Sequence, residues 1–443
     1  MPGEVAVIGL GRSGVAATRL LRRQGRAVYA SDAGRSAFLE AAAASLRADG
    51  AEVELGGHDL ARIGRAALCV VSPGVPPDAP PIAAARAAKV PIRAEAELGL
   101  EALGEVPSIA VTGTNGKTTT TALIGHLLTT AGRRAAAVGN IGTPLSEIAL
   151  APERPEWLAV ELSSFQLHDM PALSPAIGVL TNLSPDHLDR YLALADYYGD
   201  KRLLFRNAGP GSIWVSNADD PESLAMVTGV AGRHLRFSVR ERAHAWYDRS
   251  AGVLRLDAAE LLPRAELALL GDHNVANALA AALAVGAAGV EIPALHEGLR
   301  TFRALAHRME PVRELEGVLY INDSKATNIA STEVAVAALT RPFVLLLGGR
   351  HKREPYTRLA TLLAGRCRAV IAYGEAQPIV LEDLAASGVP LVPAGSFEEV
   401  LGRARALARP GDVVLLSPAC SSYDMFKNYE ERGALFRKLV EEM

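Results

Sequence analysis

The fold of this chain is decided by one stretch of sequence, Val111-Thr112-Gly113-Thr114-Asn115-Gly116-Lys117-Thr118-Thr119, which follows an aliphatic segment and opens a helical pattern. The amides of such a glycine loop, the Lys117 ammonium and the Thr118 hydroxyl can together hold a triphosphate and its Mg²⁺. The stretch departs from the general P-loop pattern, because Val111 stands where the first glycine is expected. Its Gly-Lys-Thr core still indicates an ATP site where a strand meets a helix.

Short aliphatic strands alternate with Ala- and Leu-rich helices along almost the whole chain. This alternation predicts an α/β protein whose parallel sheets are covered by helices. Residues 232–264 are the exception, and their pattern predicts short antiparallel strands inserted in the middle of the chain. The other predicted strands, each followed by glycine, serine, proline or asparagine, are 5–8, 68–71, 109–112, 157–161, 177–180, 343–347, 369–373 and 413–416.

The length of 443 residues predicts roughly three domains at about 150 residues each. We place one boundary near residues 91–97, before the strand that leads into the ATP loop, and another near 301–307, where a long helical stretch gives way to a new strand. The predicted domains are therefore 1–97, 98–303 and 304–443.

Charge and cysteine content narrow the class of protein. The 46 Lys and Arg against 49 Asp and Glu give a net charge of −3, which leaves no excess to attract nucleic acid or an acidic membrane. Cys69, Cys367 and Cys420 are odd in number and far apart, which favours a reducing compartment. The N-terminus has no basic region before its apolar stretch, and the longest apolar run, 278–290, is too short to cross a bilayer. We therefore expect a soluble cytoplasmic protein.

A second glycine turn, Gly9-Leu10-Gly11-Arg12-Ser13-Gly14, directly follows the first predicted strand. Asp32 follows at about the distance at which a dinucleotide fold places its ribose-binding acid. On this turn alone, an NAD site and a ligand-free strand-to-helix turn are equally open. An NAD-dependent oxidoreductase would rest on this turn and Asp32 only, and it would leave Lys117 and Thr118 without a role.

Polar residues also follow the strands after the ATP loop. Glu161 ends a predicted strand at the sheet edge where ligands collect, and its carboxylate can complete the coordination of a Mg²⁺ held by Thr118. In the loop after the next strand, Asp186 and Asp189 are equally open to direct function and to a helix N-cap with ion pairs. His187 in the same loop is a candidate metal ligand or acid/base.

Lys201, in the helix that follows, also has two open roles, which are to neutralise phosphate or to be chemically modified at a depressed pKa. Further on, a dense polar run follows the strand predicted at 318–321, so its side chains project from a strand end. There Asp323 could accept hydrogen bonds from ribose hydroxyls, while Arg308 and Lys325 could stabilise charge on a transferring phosphate.

Taken in this order, the motifs resemble those of the Mur ligase family of cell-wall peptide synthetases, from Val7 to the end of the chain. Segments 161–167, 322–328 and 417–420 are most similar to the branch that adds D-glutamate to UDP-N-acetylmuramoyl-L-alanine. The resemblance implies an N-terminal Rossmann-like domain for the UDP substrate, a central P-loop ATPase-like domain with a parallel sheet, and a C-terminal Rossmann-like domain for the amino acid. It also implies an ADP-forming ligase that makes an amide bond through an acyl phosphate in peptidoglycan precursor synthesis.

The resemblance further implies roles for individual residues. The catalytic and metal-binding set is Lys117 and Thr118 with Glu161 for the phosphates and a first Mg²⁺, His187 for a second Mg²⁺, and Lys201 as a carbamylated metal ligand. The ATP-contacting positions are Gly113, Thr114, Asn115, Gly116, Lys117, Thr118, Thr119, Asn274, Asn277, Arg308, Asp323 and Lys325. The positions for the UDP substrate are Arg12, Ser13, Asp32, Ser72, Asn140, Ser163 and Gln166, and those for D-glutamate are Thr327, Lys352, Ser422, Tyr423 and Tyr429.

Two more alternatives stay open beside the oxidoreductase. One is a sister ligase that adds a different amino acid, and the other is a nucleotide switch in which ATP only closes domains. The many polar strand ends outside the ATP loop count against the switch. We expect a monomer that uses ATP and two Mg²⁺ ions and has neither nucleic acid nor a membrane as a partner.

Overall fold

The computed structural model describes residues 3–186, 191 and 193–443 of the chain. By their internal contacts these residues divide into two compact units. The first unit comprises Met1–Arg264 together with Ala276–Thr301, and the second comprises Ala265–Val275 together with Phe302–Met443.

The first unit contains two sheets, of which the N-terminal one has five strands. These are β1 (Val5–Ile8), β2 (Val28–Asp32), β3 (Glu52–Leu55), β4 (Leu68–Val71) and β5 (Ile92–Ala94). Their helices are α1 (Arg12–Arg23), α2 (Ala37–Ala48), α3 (Leu60–Ile63), α4 (Pro80–Ala87) and α5 (Glu95–Leu103). All pairings are parallel and the order is β3-β2-β1-β4-β5, which is the expected Rossmann-like arrangement. From β1 the chain adds β2 and β3 on one side and then β4 and β5 on the other. Doubly wound sheets bind their ligands at this point, between β1 and β4.

The second sheet of this unit carries the ATP loop and has nine strands. These are β6 (Ser108–Thr112), β7 (Ala135–Gly139), β8 (Trp157–Glu161), β9 (Ile177–Leu180), β10 (Ile213–Asn217), β11 (Arg233–Ser238), β12 (Ala245–Asp248), β13 (Val253–Leu256) and β14 (Ala259–Pro263). The accompanying helices are α6 (Lys117–Thr130), α7 (Leu145–Leu150), α8 (Ser164–His168), α9 (Leu194–Arg202), α10 (Pro221–Val227), α11 (Asp272–Ala287) and α12 (Ile292–Thr301).

The order of this sheet is β14-β13-β12-β11-β10-β9-β6-β8-β7, and the pairings from β7 to β12 are parallel. The prediction of antiparallel strands over 232–264 is therefore wrong for β11, which pairs in parallel with both of its neighbours. Only the β12-β13 and β13-β14 pairings are antiparallel, because short turns connect these strands directly. Since β6 lies between β8 and β9, the segments that follow these three strands meet at one edge of the sheet.

The sheet of the second unit has six strands. These are β15 (Glu310–Leu315), β16 (Val318–Asn322), β17 (Phe343–Gly348), β18 (Cys367–Tyr373), β19 (Leu391–Pro393) and β20 (Val413–Leu416). Its helices are α13 (Ile329–Ala338), α14 (Ala360–Leu363), α15 (Gln377–Asp383), α16 (Phe397–Leu407) and α17 (Tyr429–Glu441). The order is β15-β16-β20-β17-β18-β19, and every pairing is parallel except that of the edge strand β15.

The central strand β17 shows why this sheet needs helices on both faces. Leu345 and Leu347 pack in one hydrophobic cluster, whereas Val344 and Leu346 pack in another. Alternate side chains point to opposite faces, so a strand made only of apolar residues and glycine must be covered on both sides. The α/β fold with three sheets is thus confirmed, while the boundaries of the three domains stay a prediction.

The apolar run at 278–290 forms most of α11 and not a separate segment. Among the described residues, no helix combines the length and apolar character that crossing a membrane requires.

Candidate active site

The ATP loop has a shape that only glycine allows at two positions. Gly113 has φ 143° and Gly116 has φ 81°, both in the region that side chains rarely adopt. A Cβ at Gly113 would overlap the Thr181 hydroxyl, and a Cβ at Gly116 would overlap the Asn277 side chain. The loop therefore has no room for a side chain at these two positions, and between them the amides of Thr114 and Asn115 donate to the Asn182 backbone and side-chain oxygens.

The side chains of the loop surround this backbone. The Lys117 ammonium donates to the carbonyl oxygens of Gly113, at 3.0 Å, and Thr114, at 2.6 Å. Thr118 is buried in the first turn of α6. A cation and a hydroxyl at a helix N-terminus form the chemistry expected for holding phosphate and a magnesium ion.

Glu161 ends β8 and pairs in register with Val111 of β6, which places it beside the ATP loop. Its Oε1 accepts a hydrogen bond from the Asn140 side-chain amide at 3.1 Å. Its Oε2 is buried and has no hydrogen-bond partner among the described residues. An unpaired buried carboxylate oxygen is costly, so these residues fit a bound cation or a hydrogen-bond donor from a ligand.

Lys201 on α9 is buried, with only 1% of its surface exposed, and its ammonium donates to the Gly113 carbonyl oxygen at 2.6 Å. The same ammonium lies 4.6 Å from the centre of the Tyr197 ring. Burial lowers the pKa of Lys201 well below its ordinary value, and the charge of Lys117 lowers it further. Nearby carboxylates, Asp186 among them, oppose this shift without cancelling it. Lys201 is thus biased toward the neutral amine.

Part of the predicted metal set cannot be placed. His187 and Asp189 lie outside the described residues. Within the described ranges, no three His, Cys, Asp or Glu side chains cluster closely enough to hold a metal ion by themselves. A cation bound here would therefore draw on Thr118, Glu161 and ligand oxygens together.

Most of the predicted UDP-substrate positions line one cavity of about 650 Å³ in the first unit. The cavity lies at the ends of β1 and β4, and its lining includes Arg12, Ser13, Asp32, Ser72 and Asn140. It thus brings together five of the seven positions, from both sheets of the unit.

The remaining two positions lie at α8. Gln166 lines a neighbouring cavity of about 720 Å³, and Ser72 contributes to both cavities. Ser163 is the N-cap of α8, where its hydroxyl accepts from the Gln166 amide and the Gln166 side-chain oxygen accepts from the Ser163 amide at 3.0 Å. The Gln166 side-chain amide nitrogen is buried and has no partner within the described part of the chain.

The N-terminal glycine turn is held together by its own polar groups. The Ser72 hydroxyl donates to the Gly9 carbonyl oxygen at 2.7 Å, and a Cβ at Gly14 would overlap that oxygen. The Asp32 carboxylate accepts from the amides of Leu10, at 2.7 Å, and Gly34, at 2.8 Å. Asp32 therefore fixes the turn, and it also borders the cavity.

His58 lines the same cavity and was missed by the sequence analysis. Its Nδ1 lies 2.8 Å from the buried Ser31 hydroxyl, and burial lowers the pKa of its imidazole. Only a Gly-Gly-His turn after β3 could have pointed to it. A neutral imidazole with one nitrogen fixed can present its other nitrogen to a ligand.

In the second unit, the predicted ATP position Asp323 is buried and has a shifted pKa. Its carboxylate accepts from the Met309 amide at 3.1 Å and from the Ser417 hydroxyl at 2.9 Å. Burial raises the pKa of Asp323 to about 7, although the charge of Arg308 opposes the shift. The Lys325 ammonium lies 4.9 Å from the centre of the Tyr429 ring.

Asn274 and Asn277, the two asparagines of the ATP set that lie on α11, belong to different units. Asn274 lies in the second unit, where its side-chain amide donates to the Leu270 carbonyl oxygen at 2.8 Å. Asn277 lies in the first, where its side-chain oxygen contacts the Thr120 hydroxyl at 3.3 Å.

The predicted D-glutamate positions all lie after β16, β17 and β20, at the carboxyl edge of the second unit's sheet. Thr327 precedes α13, Lys352 follows β17, and Ser422 follows β20. Tyr429 begins α17, whereas the Tyr423 side chain is 64% exposed. Cys420 is buried as expected for a packing residue, and burial raises its pKa to about 11.

Three family models match successive parts of the chain. Residues 3–94 match the MurD-like N-terminal domain of Mur ligases, residues 111–285 match the Mur ligase middle domain, and residues 307–420 match the glutamate ligase domain of Mur ligases.

Curated relatives match over nearly the full length. The UDP-N-acetylmuramoylalanine--D-glutamate ligase of Pelotomaculum thermopropionicum is 40% identical, over 99% of this chain and 97% of the relative. The ligase of the same name from Anaeromyxobacter dehalogenans is 43% identical over the same shares. Among solved structures, the UDP-N-acetylmuramate-alanine ligase of Thermotoga maritima aligns over 99% of both chains with a TM-score of 0.63 and 19% identity, which is a likeness of fold.

Proposed function

The chain belongs to the Mur ligase family, and from that premise we propose that it joins D-glutamate to UDP-N-acetylmuramoyl-L-alanine as an ATP-dependent, ADP-forming ligase of peptidoglycan precursor synthesis. The observation that carries the proposal is the arrangement around Gly113. The loop has no room for a side chain at Gly113 or Gly116, and two lysine ammonium groups donate to the Gly113 carbonyl oxygen. Beside it, the buried Glu161 Oε2 has no hydrogen-bond partner among the described residues.

The proposed reaction has two steps that balance. A carboxylate oxygen of UDP-N-acetylmuramoyl-L-alanine attacks the γ-phosphorus of ATP, and ADP leaves. The amine nitrogen of D-glutamate then attacks the acyl carbon, loses a proton, and expels inorganic phosphate. Phosphorylation is needed because a free carboxylate has a poor leaving group for attack by an amine.

In the first step the chain's own residues bind phosphate and orient it. The amides at the start of α6 would cradle the phosphates, since those of Thr114 and Asn115 already donate to Asn182. Lys117 would turn from the loop carbonyls to the γ-phosphate, and Asn277 packs against Gly116. Thr118 and Glu161 would hold Mg²⁺, which supplies charge neutralisation to the transferring phosphoryl group. In the second unit, Asn274, Arg308, Asp323 and Lys325 are proposed to contact ATP.

Lys201 is proposed to be carbamylated, which would make it a ligand of a second Mg²⁺ together with His187. The reaction adds CO₂ to the amine nitrogen and releases one proton, and it requires a neutral amine. Burial of Lys201 supports this, because the lowered pKa leaves part of the amine unprotonated. The carbamate would also turn a buried cation into an anion beside Lys117.

The cavity at the N-terminal glycine turn is the proposed UDP site. Its walls combine amides of a tight turn at the start of α1 with Arg12, Ser13, Ser72 and Asn140. Backbone amides at a helix N-terminus suit a diphosphate. Asn140 also donates to Glu161, so it links this cavity to the ATP loop.

The strand-end loops of the second unit are the proposed D-glutamate site, with Thr327, Lys352, Ser422, Tyr423 and Tyr429. Lys352 supplies a charge for a carboxylate, and the short loops supply amides and hydroxyls. We propose that the enzyme acts in the cytoplasm as a monomer.

The test is phosphate release by the purified protein with ATP, Mg²⁺, UDP-N-acetylmuramoyl-L-alanine and D-glutamate. We expect release only when all four are present, with a product whose mass equals the two substrates less water. Release that ignores D-glutamate would remove the assignment. A panel of other amino acids in the same assay separates this ligase from its sister ligases.

A further inference from the structure

Arg432 on α17 is one of the largest fully buried side chains of the protein, with 0% of its surface exposed. No ion pair joins it to a carboxylate within the described part of the chain, and its Nη1 has no hydrogen-bond partner there. A guanidinium taken out of water is destabilising when no carboxylate contacts it. Such a charge calls for a functional explanation.

The hydrogen bonds of Arg432 tie together loops that follow neighbouring strands. Its Nε donates to the Ser324 hydroxyl at 3.0 Å, and its Nη2 donates to the carbonyl oxygens of Ser324, at 2.7 Å, and Cys420, at 3.1 Å. A Cβ at Gly349 would lie 3.1 Å from Nη1. The guanidinium thus lies under the loops that follow β16, β20 and β17.

Each of these loops carries a residue of the proposed D-glutamate site, at most three positions along the chain from the residue next to Arg432. Thr327 follows Ser324, Ser422 follows Cys420, and Lys352 follows Gly349. Tyr429, a fourth residue of the proposed site, begins the helix that carries Arg432. The Ser324 hydroxyl donates to the Tyr429 carbonyl oxygen at 2.8 Å. One side chain therefore sets the distances among most of the site.

We propose that Arg432 is a positioning residue that makes the acceptor site selective for an amino acid with two carboxylates. Its charge raises the positive potential at the strand ends in a region of low dielectric, and that potential favours a dianion over a neutral side chain. Its forked geometry, which lysine does not have, holds two loops at once. This inference rests on the proposed function.

The test compares D-glutamate with D-glutamine, which has nearly the same shape and lacks the side-chain charge. In R432Q we expect the ratio of kcat/KM values for the two amino acids to fall by about tenfold, mainly because KM for D-glutamate rises. Both kcat/KM values are measured at saturating ATP, because Ser324, which Arg432 contacts, lies between Asp323 and Lys325 of the proposed ATP set. An unchanged ratio would overturn the proposal.

R432K carries the test if R432Q does not fold. Lysine keeps the charge but cannot donate to Ser324 and Cys420 together, so we expect the selectivity to survive while KM for D-glutamate rises about fivefold. An unchanged KM for D-glutamate in R432K would contradict the positioning role. The matched control is Arg405→Gln on α16, whose guanidinium is exposed and lies 3.6 Å from Glu316, and it should behave as wild type.

Failure of the inference differs from failure of the proposed function. A wild-type protein that prefers neither amino acid contradicts the proposed function itself. A wild-type protein that prefers D-glutamate, with the same preference in R432Q, contradicts only the role of Arg432.

Discussion

The Lys201 ammonium and the Lys117 ammonium donate to the same oxygen, the Gly113 carbonyl, at 2.6 Å and 3.0 Å. Burial is the main reason that the pKa of Lys201 is low, and the charge of Lys117 adds to it. Two cations so placed favour the neutral form of the more buried one. We therefore expect the Lys117 amine to bind phosphate and the Lys201 amine to react.

Lys201→Arg should lower kcat by at least about 100-fold, because a guanidinium cannot form a stable carbamate and the charge next to the phosphates would have the wrong sign. Lys201→Ala should be equally inactive but partly restored by short carboxylates such as acetate, which can enter the vacated space. Steady-state phosphate release measures both effects.

Lys201→Met is the matched control for folding. It should melt at or above the wild-type temperature, because a buried apolar side chain replaces a buried amine. Full activity in the arginine variant would contradict the metal role of Lys201.

Gly113→Ala and Gly116→Ala should each abolish ATP binding, because the new Cβ would overlap Thr181 or Asn277 and would meet an unfavourable φ. We expect each variant to lose about 1–3 kcal/mol of unfolding free energy. Calorimetric titration with an ATP analogue and urea denaturation measure the two effects.

Gly211→Ala is the control for the loop variants, since no atom lies within 4 Å of its added Cβ and its φ is not positive. ATP binding that survives in both loop variants would show that the loop does not hold phosphate.

Asp323 should make the stability of the second unit depend on pH. Its pKa is raised from 3.8 to about 7 by burial, so its contribution is fully present below the lower value and is lost as pH rises through the higher one. Between about pH 4 and about pH 7, wild type should lose unfolding free energy relative to Asp323→Asn, with a full effect on the order of 4 kcal/mol.

Urea denaturation at several pH values measures that difference. Asn keeps the shape, and the Ser417 hydroxyl can turn to match it, because it also lies 3.1 Å from the Thr332 hydroxyl. Parallel pH profiles of the two proteins would show that the carboxyl group is ionised throughout.

His58→Ala should weaken UDP binding about fivefold, the size of one neutral hydrogen bond. Burial lowers the pKa of His58, so the imidazole is neutral above its ordinary value and wild-type affinity should not change between about pH 7 and about pH 8. Calorimetric titration with UDP measures the affinity directly, without catalysis.

His244→Ala, in the loop before β12, is the control for His58 and should bind UDP as wild type does. Ser31→Ala should weaken UDP binding less than His58→Ala does, because it removes only the hydrogen bond that fixes the His58 imidazole and leaves the imidazole in place. Equal UDP affinity in His58→Ala and wild type would exclude contact with the nucleotide.

The order of strands and loops along the chain was predictable, because each element is indicated by a pattern of residues that are neighbours in the sequence. The run from Val111 to Thr119 combines an aliphatic strand, a glycine loop and a helix start, and each of these depends on neighbours only a few residues away. The same holds for the polar segments after β8 and β16. The direction of β11 was not predictable in this way, because strand direction depends on where the next segment packs.

The sequence alone determined the fold class of this protein, which follows from periodicity. It also determined the resemblance to the Mur ligase family, which rests on motifs of contiguous residues and implies the ligase chemistry. Only the tertiary structure decided which side chains share an oxygen. Within its described residues it also decided that the Glu161 Oε2 has no hydrogen-bond partner and that Arg432 is buried without an ion pair. Those properties depend on distance and on exclusion of water between residues far apart in the chain. No spacing in a sequence encodes them, because burial and charge act through space.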